Sequence, residues 1–374
     1  MSGIYIHIPF CKKACHYCDF HFSTSLKNKE QMLAAIQSEL VLRKSELQDE
    51  IVETIYFGGG TPSLLTTSEI ESILEVVCKN YSVVKTPEIT LEANPDDLTE
   101  EKIIELSKTD INRLSIGIQS FFEEDLKMMN RAHTSEESIK SLTIATKYFE
   151  NITIDLIYGI PNMTSDRWKE NLKKAFEFEV NHISSYALTV EEKTALASFI
   201  KNKKYPKLDE ELALEHFLIL VEESEKEGFE QYEISNFSKP DFYSKHNTSY
   251  WKGAKYIGVG PSAHSFNETH RFWNVSNNTK YIKSLSEGKL ALEFEELSIE
   301  DRYNEYVMTG LRTVFGVSMQ FVTEKYGEKF QKHLSKEIRL FLENETLILN
   351  DGVLKTTKKG KFLADGIASE LFYV

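Results

Sequence analysis

Up to about residue 190, short segments rich in β-branched and aromatic residues alternate with longer stretches whose apolar residues recur at helical spacing. A chain patterned this way folds as repeated strand–helix units around a parallel sheet. Six strands are expected, at 4–8, 52–57, 88–92, 113–118, 152–157 and 182–188. Between the first two, Met32, Leu33, Ile36, Leu40 and Val41 step by three and four, as one buried helix face requires, and Ile70, Ile73, Leu74 and Val77 repeat the pattern in the next gap. Six units rather than eight predict an α/β fold, an incomplete (β/α)6 TIM-like barrel over residues 1–190, with its site on the loops after the strand C-termini. A chain of 374 residues has room for more than one domain. Over 191–298 an amphipathic helix at 212–227 precedes a stretch rich in aromatics, glycine and asparagine, which reads as loop and short strand covering the barrel mouth. Residues 299–374 turn helical again and carry a hairpin at 346–356 turning at Asn350, Asp351 and Gly352. These elements predict a small C-terminal winged-helix-like α+β domain.

Composition narrows the function. Hydrophobic residues make up 41% and charged residues 27%, a globular balance, and no apolar run approaches the ~20 residues of a membrane span. An integral membrane protein and a disordered chain are both excluded. Met1 leads directly into Ile4, Tyr5, Ile6, His7 and Ile8 with no basic flank, long apolar stretch or cleavage site, which predicts a cytoplasmic protein. Fifty-eight acidic against 44 basic residues give a net charge of −14, which repels a phosphate backbone. Nucleic acid is therefore not an expected partner, although winged-helix folds often bind DNA.

Of four cysteines, Cys11, Cys15 and Cys18 fall within eight residues. A disulfide framework would spread them along the chain, so in a reducing compartment the cluster reads as a metal site. Three thiolates are one fewer than a closed structural zinc site requires. Three cysteines holding a [4Fe-4S] cluster would leave one iron open to a substrate's amine and carboxylate. That arrangement lets a reduced cluster pass an electron to the sulfonium of S-adenosylmethionine (SAM). Zinc with His16 or His21 as fourth ligand, and cysteines with no metal role, are the other readings of this spacing. Cys78 stands apart: one position after Val77 on an apolar helix face, it is expected in the core.

Further candidates stand at strand ends. Gly58, Gly59, Gly60, Thr61 and Pro62 follow the second strand, where glycines let the backbone approach a ligand, although a plain tight turn has the same composition. Glu92, Gln119 and Asp155 are polar residues at or just beyond strand ends, which a barrel aims at its mouth. Capping a helix or pairing with one another would also account for them. On pattern alone Arg131 is a surface ion-pair partner and Tyr5 a strand aromatic. The run His246-Asn247-Thr248-Ser249-Tyr250-Trp251 sets a histidine beside two aromatic residues. From chemistry alone such a histidine is a satisfied packing residue.

The opening Tyr5-Ile6-His7-Ile8-Pro9-Phe10-Cys11, followed by Cys15, Tyr17, Cys18, Asp19 and Phe20, resembles that of the radical SAM group containing oxygen-independent coproporphyrinogen III oxidase and the HemW-type heme chaperones. The likeness continues through nearly the whole chain. It implies a radical SAM barrel with a [4Fe-4S] cluster on Cys11, Cys15 and Cys18. It also implies SAM contacts from Tyr5, Tyr17, Gly59, Gly60, Thr61, Glu92, Gln119, Arg131 and Asp155. Two features of the oxidase are missing: its N-terminal extension, since the first strand begins at residue 4, and its further Cys-x-Cys step, since Asp19 and Phe20 follow Cys18. The run from His246 to Trp251 matches the His-Asn-x-x-Tyr-Trp motif of the chaperones, which implies a heme site drawing on His246, Asn247, Tyr250 and Trp251. His264 matches another family segment and is a candidate pocket residue. The expectation is a chaperone that holds heme and passes it to an acceptor hemoprotein, with anaerobic coproporphyrinogen III oxidation as the alternative. Homodimerisation and peripheral membrane association are left open.

Overall fold

The computed structural model describes residues 2–374, and its centre is one open sheet of twelve strands. Six parallel strands in sequential order form the middle: β1 (Ser2–Ile8), β2 (Val52–Gly59), β3 (Val83–Ala93), β4 (Arg113–Gln119), β5 (Asn151–Tyr158) and β6 (His182–Ala187). All six expected strands are present, with β3 reaching further back than the sequence suggested. Side chains alternate along each strand. Ile4, Ile6, Ile55, Phe57, Leu114, Ile116, Ile152 and Ile154 are buried in the apolar core shared with the outer helices. Tyr56, Glu92, Arg113, Ser115, Asp155 and Ser184 take the other parity and line the interior.

Helices α1 (Lys29–Leu42) and α2 (Thr67–Asn80) follow β1 and β2. A capping box starts α2, with Glu69 N–H donating to Thr66 Oγ1 at 3.2 Å and Thr66 N–H donating to Glu69 Oε2 at 2.8 Å. It fixes where the chain leaves the glycine turn. Met32, Leu33, Ile36 and Leu40 are buried as their spacing requires, but Val41 is exposed. Each helical step turns the side chain by ~100°, which carries Val41 past the edge of the apolar stripe. The same rotation overturns the core placement of Cys78, which is exposed beside buried Val77.

Segment 191–298 mainly widens the sheet. After α3 (Glu210–Lys226), β7 (Glu230–Glu233) and β8 (Asn236–Ser238) extend it beyond β6. On the far side β9 (Lys255–Val259), β10 (His264–Phe266), β11 (His270–Asn274) and β12 (Leu292–Glu296) extend it beyond β1. Because β9 pairs with β1 and β8 with β6, the two ends of the parallel array never meet and the barrel stays open. Between β8 and β9 the short helix α4 (Lys245–Trp251) packs on β1 and β2. Its Lys245 and His246 N–H groups donate to the Glu88 carboxylate at 3.0 and 2.9 Å.

The remaining residues begin with α5 (Ile299–Leu311) and carry a three-stranded sheet of β13 (Val317–Ser318), β14 (Leu347–Asn350) and β15 (Val353–Thr356). The β14–β15 turn sits on Asp351 and Gly352, whose φ values of 49° and 76° are those of a two-residue hairpin loop. Tyr303, Val307, Leu311, Phe330, Leu334 and Leu354 form a separate core. This part docks on the β7 end of the large sheet, where Val314 N–H donates to Tyr232 O and Ile234 N–H to Arg312 O, both at 3.0 Å. No helix among the described residues is long and apolar enough to cross a membrane.

Arg43, 1% exposed, clamps α1 to the added strands. It donates to Glu39 Oε1 at 3.0 Å, Gly258 O at 2.8 Å and Ser265 Oγ at 2.9 Å. The Glu39 carboxylate also accepts from Gly260 N–H at 2.9 Å and Asn274 Nδ2 at 2.8 Å. Removing the guanidinium strands a buried carboxylate, so Arg43→Met should destabilise the fold by about 3–5 kcal/mol in urea unfolding. Lys226→Ala, at an exposed ion pair, should leave the unfolding midpoint in place.

Candidate functional site

At the C-terminal ends of β1–β6 lies a cavity of about 650 Å³, and all three clustered cysteines line it. The loop that carries them is closed at its base by Cys11 N–H to Ser23 O at 3.1 Å and Ser23 N–H to Pro9 O at 2.9 Å. It is tied across the mouth as well. His16 N–H donates to Met129 O at 3.0 Å, Asn130 Nδ2 to Ala14 O at 2.7 Å, and Leu196 N–H to His16 O at 2.8 Å. Lys12 pairs with Asp96 at 2.8 Å and also with Asp97.

The donor set fits an iron-sulfur cluster better than zinc. His16 Nδ1 is bonded to Met128 O at 2.8 Å and His21 Nε2 to Asn278 Oδ1 at 2.7 Å, so both histidines proposed as a fourth ligand are held elsewhere. Among the described residues, no three His, Cys, Asp or Glu side chains stand as a set that could hold a single metal ion. Burial raises the Cys11 thiol and pushes Cys18 up to about 11, and the neighbouring cysteines add to both shifts. Thiolates here call for a compensating cationic centre. Arg131 supplies part of that charge, donating from Nη1 to Cys15 Sγ at 3.3 Å and Tyr17 Oη at 3.4 Å.

The glycine turn stands against this loop. Gly60 N–H donates to Ile8 O at 2.9 Å and Thr61 N–H to Phe10 O at 2.7 Å, and a Cβ on Gly60 would collide with the Ile8 and Phe10 backbone. Gly59 has φ +101°, and a Cβ there would strike the His7 ring. Its N–H donates to Glu92 Oε2 at 3.1 Å, while Tyr56 Oη donates to Glu92 Oε1 at 2.8 Å. Burial pushes Glu92 up to about 7, with these hydrogen bonds opposing and Asp155 adding. Asp155 rises to about 6, also by burial, with Arg113 holding it down. Arg131 Nη2 donates to Asn94 Oδ1 at 2.7 Å and Gly117 O at 3.0 Å, and Nε has no partner among the described residues. Gln119, at φ 65°, stands over Gly117 beside Arg131. Tyr17, Gly59, Gly60, Thr61, Glu92, Gln119, Arg131 and Asp155 thus share one cavity wall with the cysteines. Tyr5 does not; it stacks behind Tyr56, 6.1 Å between ring centroids.

The motif in α4 is divided. Asn247 lines the cavity, whereas His246 is buried away from it. Its Nδ1 shares a hydrogen bond with Thr54 Oγ1 and its Nε2 one with Tyr250 Oη, both at 2.7 Å. Burial, aided by Arg113, holds the imidazole neutral by lowering it to about 3. Trp251 lies under the Arg312 guanidinium, 5.4 Å from its centroid, and Arg312 lines the cavity. His264, a candidate pocket residue by sequence, is exposed on β10 near Trp273 and takes no part in the cavity. The alternation of β10 points it outward while Ser265 turns in to Arg43.

Sequence reasoning passed over Tyr56, Asn94 and Arg113, although each is a polar residue on a strand or just past its end, and Asn94 and Arg113 stand two positions from the wall residues Glu92 and Ser115. It had no signal for Arg312, Phe362 and Asp365, which the C-terminal part brings to the cavity from far along the chain.

Residues 5–175 match the family model described as Radical SAM superfamily, and residues 297–363 match that of the HemN C-terminal domain. The chain is 31% identical over 374 residues to a heme chaperone HemW of Bacillus subtilis, covering 98% of each chain. It is 33% identical over 377 residues to heme chaperone HemW of Lactococcus lactis, again covering 98% of each. The fold is that of coproporphyrinogen III oxidase (HemN) from Escherichia coli, with a TM-score of 0.86, 22% identity, and coverage of 99% of this chain and 90% of that one. With a three-cysteine loop facing a glycine turn in an open barrel, and this identity along nearly its whole length, the chain belongs to the HemW heme chaperone family of radical SAM proteins.

Proposed function

We propose that this protein is a heme chaperone that carries a [4Fe-4S] cluster and SAM in its barrel and holds heme for delivery to an acceptor hemoprotein. The observation that carries the reading is the meeting of Cys11, Cys15 and Cys18 with Gly59, Gly60, Glu92, Gln119, Arg131 and Asp155 around one cavity. Cluster and SAM, when bound, supply one-electron chemistry. The chain's own residues bind and orient. The cysteines would ligate three irons. Gly59, Gly60 and Thr61 would give SAM a backbone surface, and the Glu92 carboxylate would accept from its ammonium. Arg131 would hold charge beside the cluster.

Heme comes to the reading from the full-length likeness to HemW chaperones and from the cavity lining. Phe20, Phe22, Tyr186, Phe217 and Phe362 bring aromatic rings to the lining, beside an Arg312 guanidinium already paired with Glu233 and Asp365. Of the α4 motif, Asn247 reaches the cavity, while Trp251 packs under Arg312. Ligation of iron by His246 requires the ring to leave Thr54 and Tyr250.

Changing Cys11, Cys15 or Cys18 to Ala should abolish the broad iron-sulfur absorption of anaerobically reconstituted protein, while Cys78→Ala should keep the full iron content; both are read by absorbance and iron assay. Ionised Glu92 is the form that accepts from an ammonium. SAM affinity measured by calorimetry should therefore be full above about pH 7 and fall below it as Glu92 takes up a proton. Glu92→Gln should weaken binding by roughly tenfold or more and flatten this profile. Wild-type protein should bind heme in equimolar amount and pass it to an apo-hemoprotein, seen as transfer of the Soret band. Reduced protein with SAM should leave coproporphyrinogen III unchanged. Its conversion to protoporphyrinogen, without heme uptake, would replace the chaperone reading by the oxidase one.

A further inference from the structure

His246 is the most enclosed residue of its motif, 1% exposed, and both its ring nitrogens are engaged inside the protein. What it presents toward the cavity wall is a ring face. The imidazole stacks on Tyr56 at 4.9 Å between centroids and 22° between planes, and Tyr5 is stacked with the same ring at 27°. Tyr56 lines the cavity, and its hydroxyl is one of two groups holding the Glu92 carboxylate, the Gly59 N–H being the other. From the far side of the stack, Tyr5 Oη donates to His7 Nδ1 at 3.2 Å, and His7 Nε2 donates to His21 O at 2.9 Å in the cysteine loop. The His7 ring is also what a Cβ on Gly59 would strike.

The histidine itself is fixed from several directions. Thr54 and Tyr250 hold its nitrogens, Glu88 holds its backbone N–H, and Gly3 leaves the space its ring fills, since a Cβ there would stand 3.2 Å from Cε1. A ring so restrained backs its neighbour as a wall does. We propose that His246 is a positioning residue for the methionine end of SAM, its ring keeping Tyr56 in the orientation from which the hydroxyl reaches Glu92 and, through Glu92, keeping the Gly59 turn in place. The inference rests on the reading that SAM occupies this cavity. Without the ring behind it, Tyr56 is free to swing. The buried carboxylate then keeps one hydrogen bond of two and takes a proton more readily, losing its grip on an ammonium. His246 therefore serves the SAM end of the barrel with no heme present.

The test is calorimetric titration of SAM into heme-free, cluster-reconstituted protein, with iron content and thermal melting recorded for each variant. His246→Ala is expected to weaken SAM about tenfold with the cluster intact. His246→Phe, which keeps a ring against Tyr56, should recover most of that loss. Tyr56→Phe, which removes only the hydroxyl, should weaken SAM to a similar degree, and the double variant should be no weaker than the single ones because both act on Glu92. Wild-type affinity in His246→Ala, or additive losses in the double variant, overturns the proposal. If His246→Ala does not fold, wild-type affinity in Tyr56→Phe overturns it equally. Absence of SAM binding by the wild type overturns the reading on which it rests, and the proposal with it.

Discussion

A carboxylate taken out of water is stable only if hydrogen bonds replace its hydration, and in this barrel the replacement comes from a neighbouring strand more than thirty residues earlier in the chain. Glu92 on β3 is satisfied by the Tyr56 hydroxyl of β2 and by the Gly59 N–H at the end of the same β2 strand. Meeting that need sets the φ of Gly59, the rotamer of Tyr56 and the register of two strands together. The glycine turn so fixed bonds to Ile8 and Phe10, and the chain beyond Phe10 is the cysteine loop. The geometry of the whole mouth thus descends from one buried acid and its partners.

The parallel strands were legible because each carries an apolar face at alternate positions, and the cysteine and glycine motifs were legible because they sit where those strands end. Val41 and Cys78 went wrong for a local reason: a helical stripe has an edge, and one residue beyond it is solvent. His264 went wrong because its strand joins a sheet extension whose pairing no local pattern announces. Arg113 was the larger omission. A buried arginine in a strand is costly enough to need a purpose, and here its charge opposes the rise of Asp155 and Glu92 while its side chain bonds to Thr153. The place of His246 was beyond reading altogether, since it depends on Gly3, Thr54 and Glu88, residues of three different strands that only the folded sheet brings together.

The C-terminal part has its own core yet finishes the cavity. Arg312 joins Glu233 at 3.0 Å and Asp365 at 2.6 Å while lying over Trp251, so α4, β7 and the last helix meet at one guanidinium. Phe362 packs on Phe217 of α3 at 5.4 Å. Aromatic rings from the C-terminal part and from α3 thus meet the polar strand residues of the barrel around one cavity.

The ties of the cysteine loop have a kinetic meaning. The loop is bonded to the segment after β4 and to the helix after β6 as well as to its own base, so it bridges a barrel that its strands leave open. A loop restrained on three sides has given up most of its conformational entropy when the sheet forms. The amide protons of Cys11, His16 and Ser23, which these bonds engage, should exchange with solvent on the timescale of the surrounding strands, and metal incorporation then becomes a docking event on a prepared surface, not a folding step.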